Sequence, residues 1–140
     1  MLYAEDEPDD IFFLREAWEE ASMPNPLIAV KDGQQAIDYL AGKGAYTDRK
    51  QYPFPCLVLL DINLPIKSGF DVLEWINQNL SHERLNVVIL SGSNLDSDIQ
   101  SARELGATDY IIKPSNPMRL GKIVRDAKDR WLASKEQTRK

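Results

Sequence analysis

Five times along this chain a short apolar run is followed by apolar residues at helical spacing. The clearest instance is CLVLL, residues 56–60, an unbroken apolar run that suits a strand covered on both faces. Asn63, Pro65 and Gly69 behind it read as turn formers, and Val72, Leu73 and Ile76 as the inner face of a helix ending near Leu80. Residues 1–4 are expected to make a very short first strand with a trimmed start. Pro8 and its neighbouring acids suit a helix start, and Ile11, Leu14, Trp18 and Ala21 mark that helix's buried face. Pro24-Asn25-Pro26 breaks it; residues 27–30 form a second strand, Asp32-Gly33 a turn, and Ala36, Ile37 and Leu40 a second helix. Residues 86–90 are the fourth strand. Asp96 is expected to cap a fourth helix that carries Ile99, Ala102 and Leu105 and ends at Gly106. Residues 108–112 are the fifth strand, and Asn116-Pro117 opens a long last helix bearing Leu120, Ile123, Val124, Ala127 and Trp131.

Strand and helix patterns alternating in this way predict an α/β fold, a five-stranded parallel sheet with helices on both faces. Only residues 41–55 interrupt the rhythm, in a connection long for its type. A surface loop pinned by Tyr46, Tyr52 and Phe54 is the expected reading, ahead of a partner-docking segment. One domain is expected over residues 1–133, with a frayed tail at 134–140 and no output domain.

A length of 140 residues permits a core that needs no disulfide or structural metal. The single cysteine, Cys56, lies inside an apolar run and reads as a small core residue, which excludes a disulfide scaffold. No apolar stretch approaches the length of a membrane span, so a cytoplasmic protein without membrane partners is expected. A formal net charge of -5 argues against a nucleic-acid partner. His82 has no second ligand type nearby and is assigned no role.

The chemistry lies where the strands end. Glu5 and Asp6 follow the first strand, Asp61 the third, Ser91 the fourth and Lys113 the fifth. A bare acid at the end of a buried strand is costly unless it is hydrated, paired or bound to a cation. If the strand order is 2-1-3-4-5, the three acids converge in the crevice where open parallel sheets bind ligands. Clustered carboxylates repel one another, and a hard divalent cation such as Mg²⁺ resolves that repulsion. With it, Asp61 becomes a plausible phosphoryl acceptor, Lys113 a partner for a phosphoryl oxygen and Ser91 a hydrogen-bond donor. Taken singly, each has a plainer reading: helix-start acids, a turn serine and a surface lysine. The joint pattern is what argues for chemistry.

The stretches AEDEP, LLDINLPIKSGFDVL, ILSGS and DYIIKP resemble, in order and over nearly the whole chain, the motifs of response-regulator receiver domains of two-component signalling. The resemblance implies a flavodoxin-like (βα)5 fold and reversible phosphorylation of Asp61. It implies Mg²⁺ held by Asp6, Asp61 and the Asn63 carbonyl, with Glu5 acting through water. It also implies Ser91 and Tyr110 as the switch, Lys113 as the phosphate-pairing lysine, and a cis Lys113–Pro114 peptide. The long connection and the final helix are similar to those of stand-alone receivers paired with phytochrome-type and other sensor kinases. The partners implied are a sensor histidine kinase or a His-phosphotransfer protein, with a homodimer as another outlet through the face of the fourth helix, fifth strand and fifth helix. The first strand is shorter than usual, and Gly92 after Ser91 is expected to loosen that loop.

Three rivals remain. An aspartyl-nucleophile phosphatase or phosphotransferase would want an acid two residues after the nucleophile, where Asn63 stands. A flavodoxin-like redox module would want a phosphate-cradling loop after the first strand, where only acids occur. A receiver-like adaptor that never takes phosphate is disfavoured by Asp61, Lys113 and the acid pair. The expectation is a signalling protein rather than an enzyme.

Overall fold

The computed structural model describes residues 1–80, 83 and 85–138, with side chains as far as Trp131. Among these residues the strands are β1 (Leu2–Ala4), β2 (Ile28–Val30), β3 (Leu57–Leu60), β4 (Asn86–Ser91) and β5 (Asp109–Ile112). They alternate with the helices α1 (Pro8–Glu20), α2 (Gly33–Ala41), α3 (Gly69–Asn79), α4 (Asp96–Glu104) and α5 (Leu120–Thr138). The strands form one parallel sheet in the order β2-β1-β3-β4-β5, the flavodoxin-like arrangement expected from the sequence.

Apolar residues on both sides of each central strand explain why the sheet is covered on both faces. Val58, Leu60, Val87 and Ile89 pack with α2 and α3 residues such as Ala36, Leu40, Val72 and Ile76. Leu57, Leu59, Val88 and Leu90 point the other way, towards Leu14 and Trp18 of α1 and Leu120, Val124 and Trp131 of α5. Trp18 and Trp131 stack with centroids 6.0 Å apart, which joins the first helix to the last. Cys56 packs against this second cluster without being fully buried.

Helix boundaries follow local hydrogen bonding. Asp32 accepts from the Gln35 N–H at 2.7 Å and starts α2, while Ser68 and Asp71 form a reciprocal capping box at the start of α3. Asn116 accepts from the Met118 N–H at 3.0 Å, but it caps a 3₁₀ turn, Pro117–Arg119, and α5 begins only after that turn, at Leu120. Asp96 departs from expectation. It is the first residue of α4, not its cap, and the loop before it is organised by Ser93 instead.

The 41–55 connection contains a 3₁₀ turn, Gly44–Tyr46, and is indeed held by Tyr46 and Tyr52, which pack edge-on with centroids 5.1 Å apart. Its main clamp is Arg49, which donates to the carbonyls of Tyr39, Leu40 and Tyr52. Phe54 remains 40% exposed, so it pins less than expected. The backbone of α5 stays helical past Ala133 to Thr138. Whether the domain gives way to a tail at 134–140 concerns side chains outside the described residues, as does His82.

Candidate functional site

Register brings the acids together. Ala4 pairs with Leu60 across β1 and β3, so the residues that follow, Glu5 and Asp61, leave the sheet side by side. Both are buried, Glu5 at 0% exposure and Asp61 at 5%. On the other side of β3, Ser91 ends β4, and the Lys113 N–H donates to the Ser91 carbonyl at 2.8 Å. That bond aims the lysine back over the strand ends.

The Lys113 ammonium is the centre of the site. It lies 2.7 Å from Glu5 Oε1, 2.8 Å from Asp10 Oδ2 and 2.9 Å from Asp61 Oδ2. An ammonium has three hydrogens, and three carboxylates take them. The second oxygen of Glu5 accepts from the backbone N–H groups of Asp6 and Glu7, and the Tyr3 hydroxyl donates to the first at 3.4 Å. Asp61 Oδ1 accepts from the Asn63 N–H at 3.1 Å, which fixes the acid's rotamer and leaves Oδ2 on the lysine.

Titration behaviour follows from this packing. Burial pushes the Glu5 carboxyl up to about 7, with the Asp61 charge adding and the Lys113 hydrogen bond opposing. Burial pulls the Lys113 ammonium down, but its hydrogen bonds to Asp10, Glu5 and Asp61 outweigh that and hold it above its ordinary value. The Tyr3 phenol is raised by burial and then by the surrounding carboxylates, so it stays a neutral donor.

Two glycines set the position of the loop after β3. A Cβ at Gly69 would lie 2.2 Å from the Asp61 carbonyl oxygen, and one at Gly33 would lie 1.9 Å from the Lys67 carbonyl oxygen. The helix starts of α2 and α3 therefore press directly on the segment that carries Asp61. Between them, Ile66 adopts a left-handed φ of 69°, unusual for a β-branched residue, with its side chain 76% exposed.

The loop after β4 is held by side chains. Ser91 Oγ accepts from the Ser93 N–H at 3.3 Å, and Ser93 Oγ donates to Asp98 at 2.5 Å. The Tyr110 hydroxyl donates to the Ser93 carbonyl at 2.8 Å, so Ser93 links the two switch candidates. Burial raises the Tyr110 phenol, with hydrogen bonds to Ser93 and Ser91 opposing.

Of the residues singled out in the sequence, Glu5, Asp61 and Lys113 meet directly, while Ser91, Asn63 and Tyr110 stand around them. Asp6 is exposed and reaches the cluster only through its N–H bond to Glu5. Among the described residues, no three His, Cys, Asp or Glu side chains are grouped so as to hold an ion in this arrangement. The cation among the carboxylates is Lys113 itself. Carboxylate and carbonyl oxygens are nonetheless the donors a hard divalent cation takes, and Asp61, Asp6 and the Asn63 carbonyl are of that kind. The Lys113–Pro114 peptide is trans, against the cis bond expected; trans is the form X–Pro bonds favour. Sequence reasoning missed Asp10. It was read with the other helix-start acids, although helical side chains tilt back towards the N-terminus and the first turn of α1 begins three residues after Glu5.

Comparison with known proteins gives a consistent result. The family model described as response regulator receiver domain matches residues 1–125. Response regulator Rcp1 of Synechocystis sp. is 34% identical over 132 residues, covering 94% of this chain and 88% of that protein. The crystal structure of the Mn²⁺-bound form of Rcp1 superposes with a TM-score of 0.83 at 34% identity, covering 94% of this chain and 92% of that one. The phosphorylated cyanobacterial phytochrome response regulator RcpA gives a TM-score of 0.85 at 34% identity, covering 95% and 94% of the two chains. Among the described residues, no helix is long and apolar enough to cross a membrane.

Proposed function

The chain belongs to the response-regulator receiver family, and we propose that it is a signalling switch whose phosphoacceptor is Asp61 and whose donor is a sensor histidine kinase. The observation that carries this reading is an imbalance of charge. Three carboxylates share one ammonium in a site where Asp61 is 5% exposed and Glu5 fully buried. Such an excess of buried negative charge is costly in a purely structural cluster. It suits a site that takes a cation.

In the proposed cycle, an Asp61 carboxylate oxygen attacks the phosphorus of a phosphohistidine in line with the P–N bond. The new P–O bond forms as that bond breaks, the imidazole nitrogen leaves with the electron pair, and an acyl phosphate results. Lys113 donates to a phosphoryl oxygen, and the Ser91 hydroxyl leaves the Ser93 N–H to donate to another. Asp6, Asp61 and the Asn63 carbonyl, with Glu5 acting through water, would hold a divalent cation such as Mg²⁺, which would supply charge neutralisation for the incoming group. Tyr110 gives up the Ser93 carbonyl and turns towards the space that Ser91 leaves, altering the face of α4, β5 and α5. The signal leaves through that face to a partner or a second copy of the chain. Water hydrolyses the acyl phosphate and resets the switch.

The similarity to RcpA, a phytochrome response regulator, supports a phytochrome-type kinase as the donor; a His-phosphotransfer protein would present the same phosphohistidine. We place the receiver unit at residues 1–133 and the protein in the cytoplasm, where such donors present their phosphohistidine.

The test is intact mass after incubation with acetyl phosphate and Mg²⁺. One phosphoryl adduct is expected, lost both in Asp61→Asn and when the metal is chelated. An adduct that survives Asp61→Asn, or none in the wild type with acetyl phosphate and kinase alike, would overturn the assignment.

A further inference from the structure

We propose that Asp10 is a positioning residue that holds Lys113 against α1 and competes with the phosphoryl group for its ammonium. This rests on Asp61 as the phosphoacceptor. Asp10 stands in the first turn of α1, and its Oδ2 lies 2.8 Å from Lys113 Nζ. The contact is as short as those to Glu5 and Asp61, at 2.7 and 2.9 Å. With the Asp10 side chain 14% exposed and that of Lys113 11%, water screens the pair poorly.

The count of hydrogens makes the competition. All three on the ammonium are taken, so donating a further bond to a phosphoryl oxygen requires giving one up. Glu5 is the hardest to release, because it is fully buried and would lose the cation that its burial requires. Asp61 keeps its charge, and with it its hold on the ammonium, until the new P–O bond forms. Asp10 remains. Among the described residues its carboxylate takes no hydrogen bond other than that from Lys113, and it sits nearest solvent of the three, so it can be released and rehydrated.

Asp10 also adds a negative charge beside a site that receives a phosphoryl group of about two negative charges. Both effects act in one direction. They weaken phosphoryl binding and slow transfer, keeping Lys113 engaged until the donor displaces it.

The test compares wild type, Asp10→Asn and Asp10→Glu in two assays. One is the rate of adduct formation on Asp61 from acetyl phosphate, and the other is equilibrium binding of beryllofluoride, a phosphoryl mimic. Asp10→Asn removes the charge and keeps the shape, so rate and affinity are expected to rise about three- to tenfold, the effect of a charge-assisted bond weakened by about 0.7–1.4 kcal/mol. Asp10→Glu keeps the charge and should restore values near wild type, which a merely structural role of the side chain would not. In a Lys113→Ala background the Asp10→Asn gain in beryllofluoride affinity should shrink by at least half, because its main route runs through the lysine. Thermal melting checks folding, and Asp10→Ser serves as a second charge-removing variant. Unchanged or reduced affinity in both charge-removing variants, or a gain undiminished without Lys113, overturns the proposal. Absence of an adduct in the wild type, with acetyl phosphate and kinase alike, instead overturns the assignment of Asp61.

Discussion

The loops that follow β3 and β4 leave the same edge of the sheet one strand apart, yet they are held in opposite ways. The β3 loop is fixed by backbone packing: carbonyl groups of Asp61 and Lys67 fill the space where Gly69 and Gly33 lack side chains, and the Gly69 N–H donates to the Ile62 carbonyl at 2.8 Å. The β4 loop has open space around Gly92, where a Cβ would meet nothing within 4 Å, and depends on the hydrogen bonds of Ser93. A packed loop keeps one conformation because moving it means moving two helices. A loop held by a few hydrogen bonds can exchange them. Under the proposed function, that difference would place the rigid part under the phosphoacceptor and the adjustable part under the residues that report on it.

The largest effect expected from disturbing this contrast is at Gly69. Gly69→Ala puts a methyl group against backbone that cannot retreat, and should cost about 3 kcal/mol, read as a lower urea midpoint. Next is the charge that the fixed loop encloses. Because the folded-state pKa of Glu5 lies near 7, above the ordinary carboxylate value, the native state binds the extra proton between about 4.5 and 7. Stability should therefore fall as pH rises through that window, by on the order of 1–3 kcal/mol, and Glu5→Gln should flatten the slope. Urea unfolding at a series of pH values reads both.

Ile66 gives a smaller effect of the opposite sign. Its left-handed backbone and 76% exposed side chain mean that little packing is lost on replacement, so Ile66→Asn should stabilise by about 1 kcal/mol in thermal melts. The smallest effect belongs to the β4 loop. Gly92→Ala meets no neighbour and should change stability by less than about 0.5 kcal/mol, with the same urea assay as Gly69→Ala for direct comparison.

Much of the fold was legible because the apolar runs are continuous and each ends in a polar residue. A run such as residues 56–60, short and closed by turn formers, suits a doubly covered strand, and that puts Asp61 at its carboxyl end. Knowing the neighbour relation of β1 and β3 then suffices to bring Glu5 beside it. What the sequence could not show depends on helix orientation and side-chain reach. Asp10 looks like any other helix-start acid, and its place in the first turn of α1 sets it 2.8 Å from the Lys113 ammonium. Arg49 likewise looks like a surface charge in a loop, although it donates to three carbonyls at the end of α2 and in the connection. The α4 start was misread because an acid before a helical stripe signals a cap, whereas Asp96 is already the first helical residue and the N-cap, Leu95, takes the Asp98 and Ile99 N–H groups on its backbone carbonyl with no side-chain cap.

The most direct test of a fixed acceptor loop beside an adjustable reporting loop is amide hydrogen exchange with and without acetyl phosphate and Mg²⁺. On phosphorylation the amides of residues 91–95 and around Tyr110 are expected to change their exchange while those of residues 64–69 stay as they were. Equal changes in both loops, or changes confined to residues 64–69, would contradict it.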